Sequence, residues 1–382
     1  MPRAGEQLMD IVYKVEDAVV RAFEGGAQVG KISVPDIDFH WGEGVFVRMA
    51  GIAGVGTDEA LRGRGIASRM MEEAGRFAVA QGYACSGIST NIGNVARRLY
   101  ARAGYTTVCR PGEFVKKPLA HRSFEQPAGV TIRPYRRGDE EKLLPLLEDL
   151  YAPFFGWRRK ALARWEGLRR EVREKDPAFL FVAEDGAGIQ GWAGYLRQWI
   201  GLVSEFHVRP SEKRGAIARS LLIHLENHLL AQGIDARIWA PPMDTFSAGL
   251  LTAEGYAFRE SRVFMVSILD LPRLLDALTP LFDRRLKGDP PWRGVIRVQT
   301  PLQEGFLRVD EGVRVEEKGT PDAEVLAPQE VLVRVLAGVL TPWEAYLEGL
   351  LSVRPGMTPE MRALLTALFP ETPWYHPADD LW

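Results

Sequence analysis

Residues 62–71 read RGRGIASRMM and residues 213–222 read KRGAIARSLL. The offset is 151 residues, and it holds without a gap for some forty positions. Gln81-Gly82 falls on Gln232-Gly233, Gly104-Tyr105 on Gly255-Tyr256, and Ile66-Ala67 on Ile217-Ala218. So many matches in one order at one spacing mean two copies of a single folding unit. Each copy reads as α/β. A β-rich run (Val45–Thr57; Val203–Val208) leads into a Gly/Arg turn. An amphipathic helix follows, near 65–81 and 216–232, with apolar positions recurring at three and four residues. Gly82 and Gly233 stand where a helix-ending glycine belongs. A short strand, a second helix (93–103; 245–253) and a Gly-Tyr exit complete the unit.

The copies are unequal upstream. The second has a strand at 130–135, helices at 140–151 and 160–175, and a strand at 178–184. The first has only 44 residues before Val45 and is expected to lack a strand and two helices. A third segment does not align with the repeat. It carries strands at 294–299, 305–309 and 313–317, helical runs at 329–340, 342–349 and 359–369, and an extended tail from Pro370 to Trp382. The expected class is α/β with mixed sheets in three segments, 1–122, 128–270 and 271–382, with a linker near 123–129. Composition agrees with a folded chain: 46% hydrophobic and 26% charged in 382 residues. A net charge of −2 supplies no bulk polycation to hold nucleic acid. Two cysteines allow neither a disulfide framework nor a four-thiolate zinc site. Met1–Asp10 has no apolar signal core, and no apolar run approaches the ~18–20 residues of a membrane span. The expectation is a cytoplasmic protein.

The turn carries the chemistry. The strand end Val55-Gly56-Thr57 feeds Arg62-Gly63-Arg64-Gly65, which opens a helix at Ile66-Ala67. The first N–H groups of a helix lack internal partners and point outward, and the helix dipole adds about half a positive charge there. Glycines let backbone approach phosphate oxygens, and the arginines add charge-assisted bonds. This suits a pyrophosphate. It is neither a Walker A loop, since no Gly-Lys-Ser/Thr follows, nor a dinucleotide fingerprint, since residue 68 is Ser.

The run resembles the Arg-x-x-Gly-x-Ala signature of the GCN5-related N-acetyltransferases (GNATs). Asn94-Val95-Ala96 and Leu99-Tyr100-Ala101 extend the likeness downstream. The resemblance implies acetyl-CoA as co-substrate. It implies pantetheine held by backbone of Val55-Gly56-Thr57, pyrophosphate on residues 62–67, Asn94 on the following helix, and Tyr100 as general acid to the leaving thiolate. The repeat is an internal control: Gly63 becomes Arg214, Gly65 becomes Ala216, Asn94 becomes Thr245 and Tyr100 becomes Leu251. The second copy is therefore expected to be degenerate, and the live site to lie in the first.

The third segment resembles a sterol-carrier-protein fold at Ala327-Pro328-Gln329, Leu336-Ala337-Gly338 and Thr341-Pro342-Trp343. The three-part order resembles the enhanced-intracellular-survival (Eis-type) acetyltransferases. That resemblance implies that the α-carboxylate of the last residue, here Trp382, accepts the proton of the attacking amine. It also implies a symmetric homo-oligomer and a primary-amine acceptor: a small cationic amine, an aminoglycoside or a lysine side chain. Neither nucleic acid nor membrane is expected as a partner. Trp382 departs from the smaller aromatic usual in the family. The rivals are a non-catalytic acyl-CoA sensor or scaffold and a lipid carrier using the third segment. Other candidates carry less. His224 and His228 flank Glu226 without a third ligand, so no metal is expected. Cys85 reads as core, and the 331–340 stripe as core rather than lipid groove. His376, on the tail, is the one histidine singled out as a neighbour of the site.

Overall fold

The computed structural model describes residues 11–160, 178–196 and 203–377. The expected helix at 160–175 and residue Trp382 lie outside them. The first unit opens as an antiparallel run: β1 (Ile11–Glu16), β2 (Val19–Glu24), β3 (Ala27–Ser33), β4 (Asp36–Gly42) and β5 (Val45–Gly51), followed by β6 (Ala53–Thr57). Among the described residues of the lead-in, 11–44, there is no helix, but strands are not lacking as expected: there are four. Tight turns replace the helices, with Asp17 and Ala18 at positive φ between β1 and β2. Then come α1 (Ile66–Ala80), β7 (Cys85–Asn91), α2 (Arg97–Arg102), β8 (Thr106–Cys109) and β9 (Gly112–Lys116). α2 is four residues shorter at its start than expected. Asn94 organises that turn instead, accepting from the Ala96 N–H at 2.9 Å.

The second unit follows the same plan. Its strands are β10 (Thr131–Pro134), β11 (Leu180–Asp185), β12 (Gly188–Leu196), β13 (Val203–Val208), β14 (Ala236–Trp239), β15 (Ala257–Glu260) and β16 (Arg262–Ile268). Its described helices are Glu140–Tyr151, Arg214–Ala231 and Thr245–Ala253. The offset of 151 maps β7 onto β14, β8 onto β15 and β9 onto β16.

The sheets do not respect that order. The first contains β4-β5-β7-β16-β8, and the second β10-β11-β12-β13-β14-β9-β15. Each unit's last strand sits in the other unit's sheet, in the slot its own counterpart would fill. The spatial units therefore differ from the segments 1–122 and 128–270 by one strand each way. β16 pairs antiparallel with β7 along its whole length, from Arg262↔Asn91 to Ile268↔Cys85. β9 is latched into the second sheet by buried charge. Glu113, fully buried, accepts from Arg237 Nε and Arg259 Nη2, each at 2.8 Å. Lys116 donates to Glu226 at 2.8 Å, and Arg122 and Tyr256 complete that carboxylate's shell. Glu226 thus points inward, away from the metal site its histidine neighbours suggested.

The third segment carries helix Leu271–Leu286, strands β17 (Gly294–Gln299), β18 (Glu304–Val309), β19 (Val313–Glu316), β20 (Ala323–Leu326) and β21 (Ser352–Arg354), and helices Gln329–Leu336, Pro342–Leu347 and Pro359–Leu368. Its sheet order is β19-β18-β17-β20-β21. It is not a separate body. Ile37, Phe39, Trp41, Val47 and Phe264 of the first sheet share one core with Leu274, Leu278, Phe282 and Leu336 of the third segment. Trp41 Nε1 donates to the Leu336 carbonyl at 2.7 Å, and Arg285 Nε to Glu43 at 2.9 Å. The sheet face left bare by the short lead-in is covered by helix Leu271–Leu286. Residues 331–336 are buried in that core, apart from half-buried Arg334. A cavity lined by Leu332 and Val335 in that core is about 10 Å³, and the stripe packs as core.

Candidate active site

β5 and β7 run parallel through Met49↔Cys85, Ala50↔Ser86 and Gly51↔Gly87. The Ile52 N–H still donates to the Gly87 carbonyl at 2.8 Å. Beyond that point they part. β6 pairs only with β3, on its far side, and the rest of β7 pairs only with β16. A V-shaped cleft opens between β6 and β7, edged by unpaired backbone of 53–57. Thr57 is half-buried, and its Oγ1 is buried without a hydrogen-bond partner.

The cleft ends at the start of α1. Gly65 caps that helix at φ +79° and Gly63 stands at φ +83°. No heavy atom lies within 4 Å of where a Cβ would be at either position. The demand for glycine there is conformational, since L side chains avoid positive φ. Ile66 is buried beneath the loop with Met70, Met71 and Ala74, which fixes the helix axis against β2 and β3. Ala67 is half-buried. Arg62 extends to Glu59 at 2.8 Å, and Arg64 to Glu24 at the end of β2, at 2.7 Å.

Tyr100 is the one buried residue of α2, at 4% exposure, and joins the cluster containing Ile66, Ile88 and Val55. Among the described residues none hydrogen-bonds its hydroxyl. Burial raises its pKa above the ordinary 10, so it holds its proton at neutral pH. Tyr105 differs: its hydroxyl is locked to Ser86 Oγ at 2.6 Å in full burial, a packing role. Asn94 is exposed and turned toward Thr90, to whose hydroxyl it donates at 2.8 Å. Val55, Ile66 and Tyr100 thus share one cluster, Gly56, Thr57 and Arg62–Ala67 lead from β6 to the start of α1, and Asn94 shapes the turn beside α2. A cavity of about 970 Å³ lies over Arg97, Arg98, Thr107 and Leu302, and of the site residues just named it is lined only by Asn94.

The second unit is the contrast. β13 and β14 also part after two residue pairs, Ser204↔Ile238 and Glu205↔Trp239. But its helix begins at Arg214, three residues earlier than the repeat requires, so Ala216 is helical and no glycine loop forms. The Arg214 side chain donates to the Val208 carbonyl at 3.2 Å and lies 3.7 Å over the Phe246 ring. It lines a cavity of about 630 Å³ with Val208, Pro241 and Asp244, at the position where the first unit has its glycine loop. Leu251, at the position of Tyr100, is fully buried.

Residues 15–107 match the Acetyltransferase (GNAT) domain model and residues 144–256 the Acetyltransferase (GNAT) family model. The chain carries two GNAT domains in tandem. It is an acetyl-CoA-dependent N-acyltransferase of that type, with acetyl-CoA as the co-substrate GNAT domains use. Solved structures share its fold, three of them as follows. A GCN5-related N-acetyltransferase from Kribbella flavida is 20% identical, with a TM-score of 0.66 over 96% of this chain and 87% of that one. One from Anabaena variabilis is 18% identical, with a TM-score of 0.67 over 96% and 90%. Eis1 from Mycobacterium abscessus is 17% identical, with a TM-score of 0.62 over 96% and 92%. No curated protein sequence matches the chain.

Three features near the tandem GNAT site were missed in the sequence. Glu24, the partner of Arg64, lies forty residues upstream with no motif around it. Arg262 reaches β7 only because β16 is exchanged. The third is the anchoring of the tail. Phe155 donates to the Pro373 carbonyl and accepts from the Tyr375 N–H, each at 2.8 Å. Trp239 Nε1 donates to the His376 carbonyl at 2.8 Å. The His376 ring is fully buried and stacks on Phe264 at 4.5 Å. Phe264 pairs with Ser89, two residues past the point where β5 and β7 part. Among the described residues no group of three or more His, Cys, Asp or Glu side chains is placed to hold a metal.

Proposed function

We propose that the first unit transfers the acetyl group of acetyl-CoA to a primary amine by direct attack, and that the second unit is not catalytic. The carrying observation is the cleft between β6 and β7, with a glycine-opened helix start at one end and a protonated tyrosine on its wall. In the second unit Arg214 and Leu251 stand at the corresponding places.

The pantetheine would run along the free backbone of Val55-Gly56-Thr57, with the pyrophosphate on the N–H groups opened by Gly63 and Gly65. Arg62, Arg64, Ile66 and Ala67 frame it. The amine nitrogen attacks the thioester carbon, the C–S bond breaks, and Tyr100 gives its proton to the departing sulfur. Such assistance contributes about 10²–10⁴-fold in rate. The amine proton passes to the α-carboxylate of Trp382. An α-carboxyl with a pKa of about 3.3–3.7 is ionised at neutral pH, whereas an alkyl amine near 10.4 is almost wholly protonated and gains from an adjacent acceptor. His376 is anchored on Phe264, on the sheet face opposite α1, which supports an approach of the tail from the acceptor side. The acceptor belongs to the class of small cationic amines, aminoglycosides or lysine side chains. We assign residues 271–382 a sterol-carrier-like fold that serves as a wall, and the assembly a homo-oligomeric state.

The test is thioester turnover with a panel of primary amines. Amine-dependent CoA release is the expected result. Tight acetyl-CoA binding with no release for any amine would replace this reading with that of an acyl-CoA sensor.

A further inference from the structure

Arg262 enters the first sheet on the exchanged strand β16, opposite Asn91 at the end of β7. Along β16, Val263 and Met265 join the core under α1, whereas Phe264 and Val266 join the core on the other face. Arg262 shares the face of Phe264, which is the face the tail crosses. Its guanidinium is held from one side. Nε donates to Ser89 Oγ at 3.1 Å, Nη1 to Asn91 Oδ1 at 3.0 Å and Nη2 to the Ser89 carbonyl at 3.2 Å. All three acceptors are neutral. Among the described residues no carboxylate lies within ion-pair distance, although most arginines of this chain have one. A guanidinium has five N–H groups. Three are used here, which leaves one on each Nη for a further acceptor such as a carboxylate. Desolvation pulls its pKa below the ordinary guanidinium value, the mark of a cation removed from water without a counter-charge. Ser89 is buried and Arg262 half-buried, so the fork is fixed yet reachable.

We propose that Arg262 is a carboxylate-binding residue on the acceptor face of the first unit. This rests on reading that unit as the live acetyltransferase. The carboxylate has two sources, the acceptor itself or the chain's own terminus. The guanidinium sits on Ser89, two residues, about 7 Å, beyond Gly87, where the strands part. An acceptor with its carboxylate on Arg262 and its amine at the parting point is therefore an ω-amino acid or a short peptide. For the terminus, the geometry is equally short: Arg262 is two residues, about 7 Å, along β16 from the ring on which His376 stacks.

Two measurements on the full-length protein and its Arg262→Gln variant separate these sources without turnover. The first is calorimetric binding, with CoA present, of lysine, 6-aminohexanoate and glycylglycine against their carboxamides. The second is hydrogen exchange of residues 372–382. If the acceptor supplies the carboxylate, the acids bind the wild type at least tenfold tighter than their amides, and Arg262→Gln abolishes the difference. If the terminus supplies it, acids and amides bind alike, and exchange of the tail accelerates at least tenfold in the variant. Unchanged tail exchange together with no acid preference overturns the proposal. So does a matching loss of acetyl-CoA affinity, which would make Arg262 only a brace for β7. Arg262→Lys, which keeps the charge, should restore part of either effect. A protein that releases no CoA with any amine would refute the acetyltransferase reading yet leave both measurements interpretable.

Discussion

Tyr100 and the two loop glycines carry the site at the scale of single residues. Tyr100→Phe keeps the packing and removes the proton, so kcat should fall by about 10²–10⁴-fold while the acetyl-CoA dissociation constant stays within twofold of wild type. Steady-state and binding measurements on one preparation check this, and equal turnover would remove Tyr100 from the mechanism. Gly65→Ala places an L side chain at φ +79°, which costs about 1–2 kcal/mol. The loop is expected to relax away from the geometry that presents its N–H groups, and acetyl-CoA affinity to drop about tenfold at a nearly unchanged kcat. His40 sets an acid limit. Burial holds its pKa down to about 4, and its ring bonds the Phe154 carbonyl at 2.8 Å through Nδ1 and accepts the Gly44 N–H at 2.9 Å through Nε2. The folded form is neutral where the unfolded form, near 6.5, takes up a proton. Its contribution is therefore complete above pH 6.5 and is lost as pH falls toward 4, at roughly 3 kcal/mol in all. Urea unfolding from pH 7 to 4 should show that decline, and His40→Gln should flatten it.

At the scale of elements the exchanged strands decide the behaviour of the chain. β16 lies in the interior of the first sheet, between β7 and β8. A fragment ending at residue 122 lacks it, and its α2-side core loses Val263 and Met265. Such a fragment should be unfolded by circular dichroism, and should gain structure when mixed with residues 123–382. The offset of 151 makes β9 and β16 near-equivalents, so either would satisfy the hydrogen bonds of either slot. Glu113 and Glu226 supply the discrimination, because their partners Arg237, Arg259, Tyr256 and Lys116 are brought together only in the second sheet. Helix Leu271–Leu286 was absent from the sequence reading, although its buried leucines recur at three and four residues. Its start follows directly on β16 with one turn signal, Asp270, whose side chain accepts from the Arg273 N–H at 3.0 Å.

Across the whole molecule, one core joins the first sheet to the third segment. Heating should therefore unfold them in a single transition, and a chain cut at residue 270 should aggregate as the Phe39–Phe264 face meets water. Scanning calorimetry of the full chain, with a search for a separate low-temperature peak from the third segment, checks this. The second unit, without a glycine loop of its own, supplies the first with a strand, with the edge segment around Phe155 that pairs to β4, and with Trp239 and Gly156, which grip the tail.

The pattern of residues along the chain was enough for the repeat, for the helix and strand order within it, and for the loop Arg62–Ala67, because each depends on neighbours a few positions apart. Helix Thr245–Ala253 and strand Gly294–Gln299 lie where the periodicity puts them. Which sheet receives β9 or β16 was not legible, since a strand's alternation states which face is apolar and not which edge it joins. The same holds for Arg262, for the ion pair of Glu24, and for the cover over Phe264. Each is a contact between residues forty to more than a hundred positions apart, chosen by the packing of whole elements rather than by any local preference.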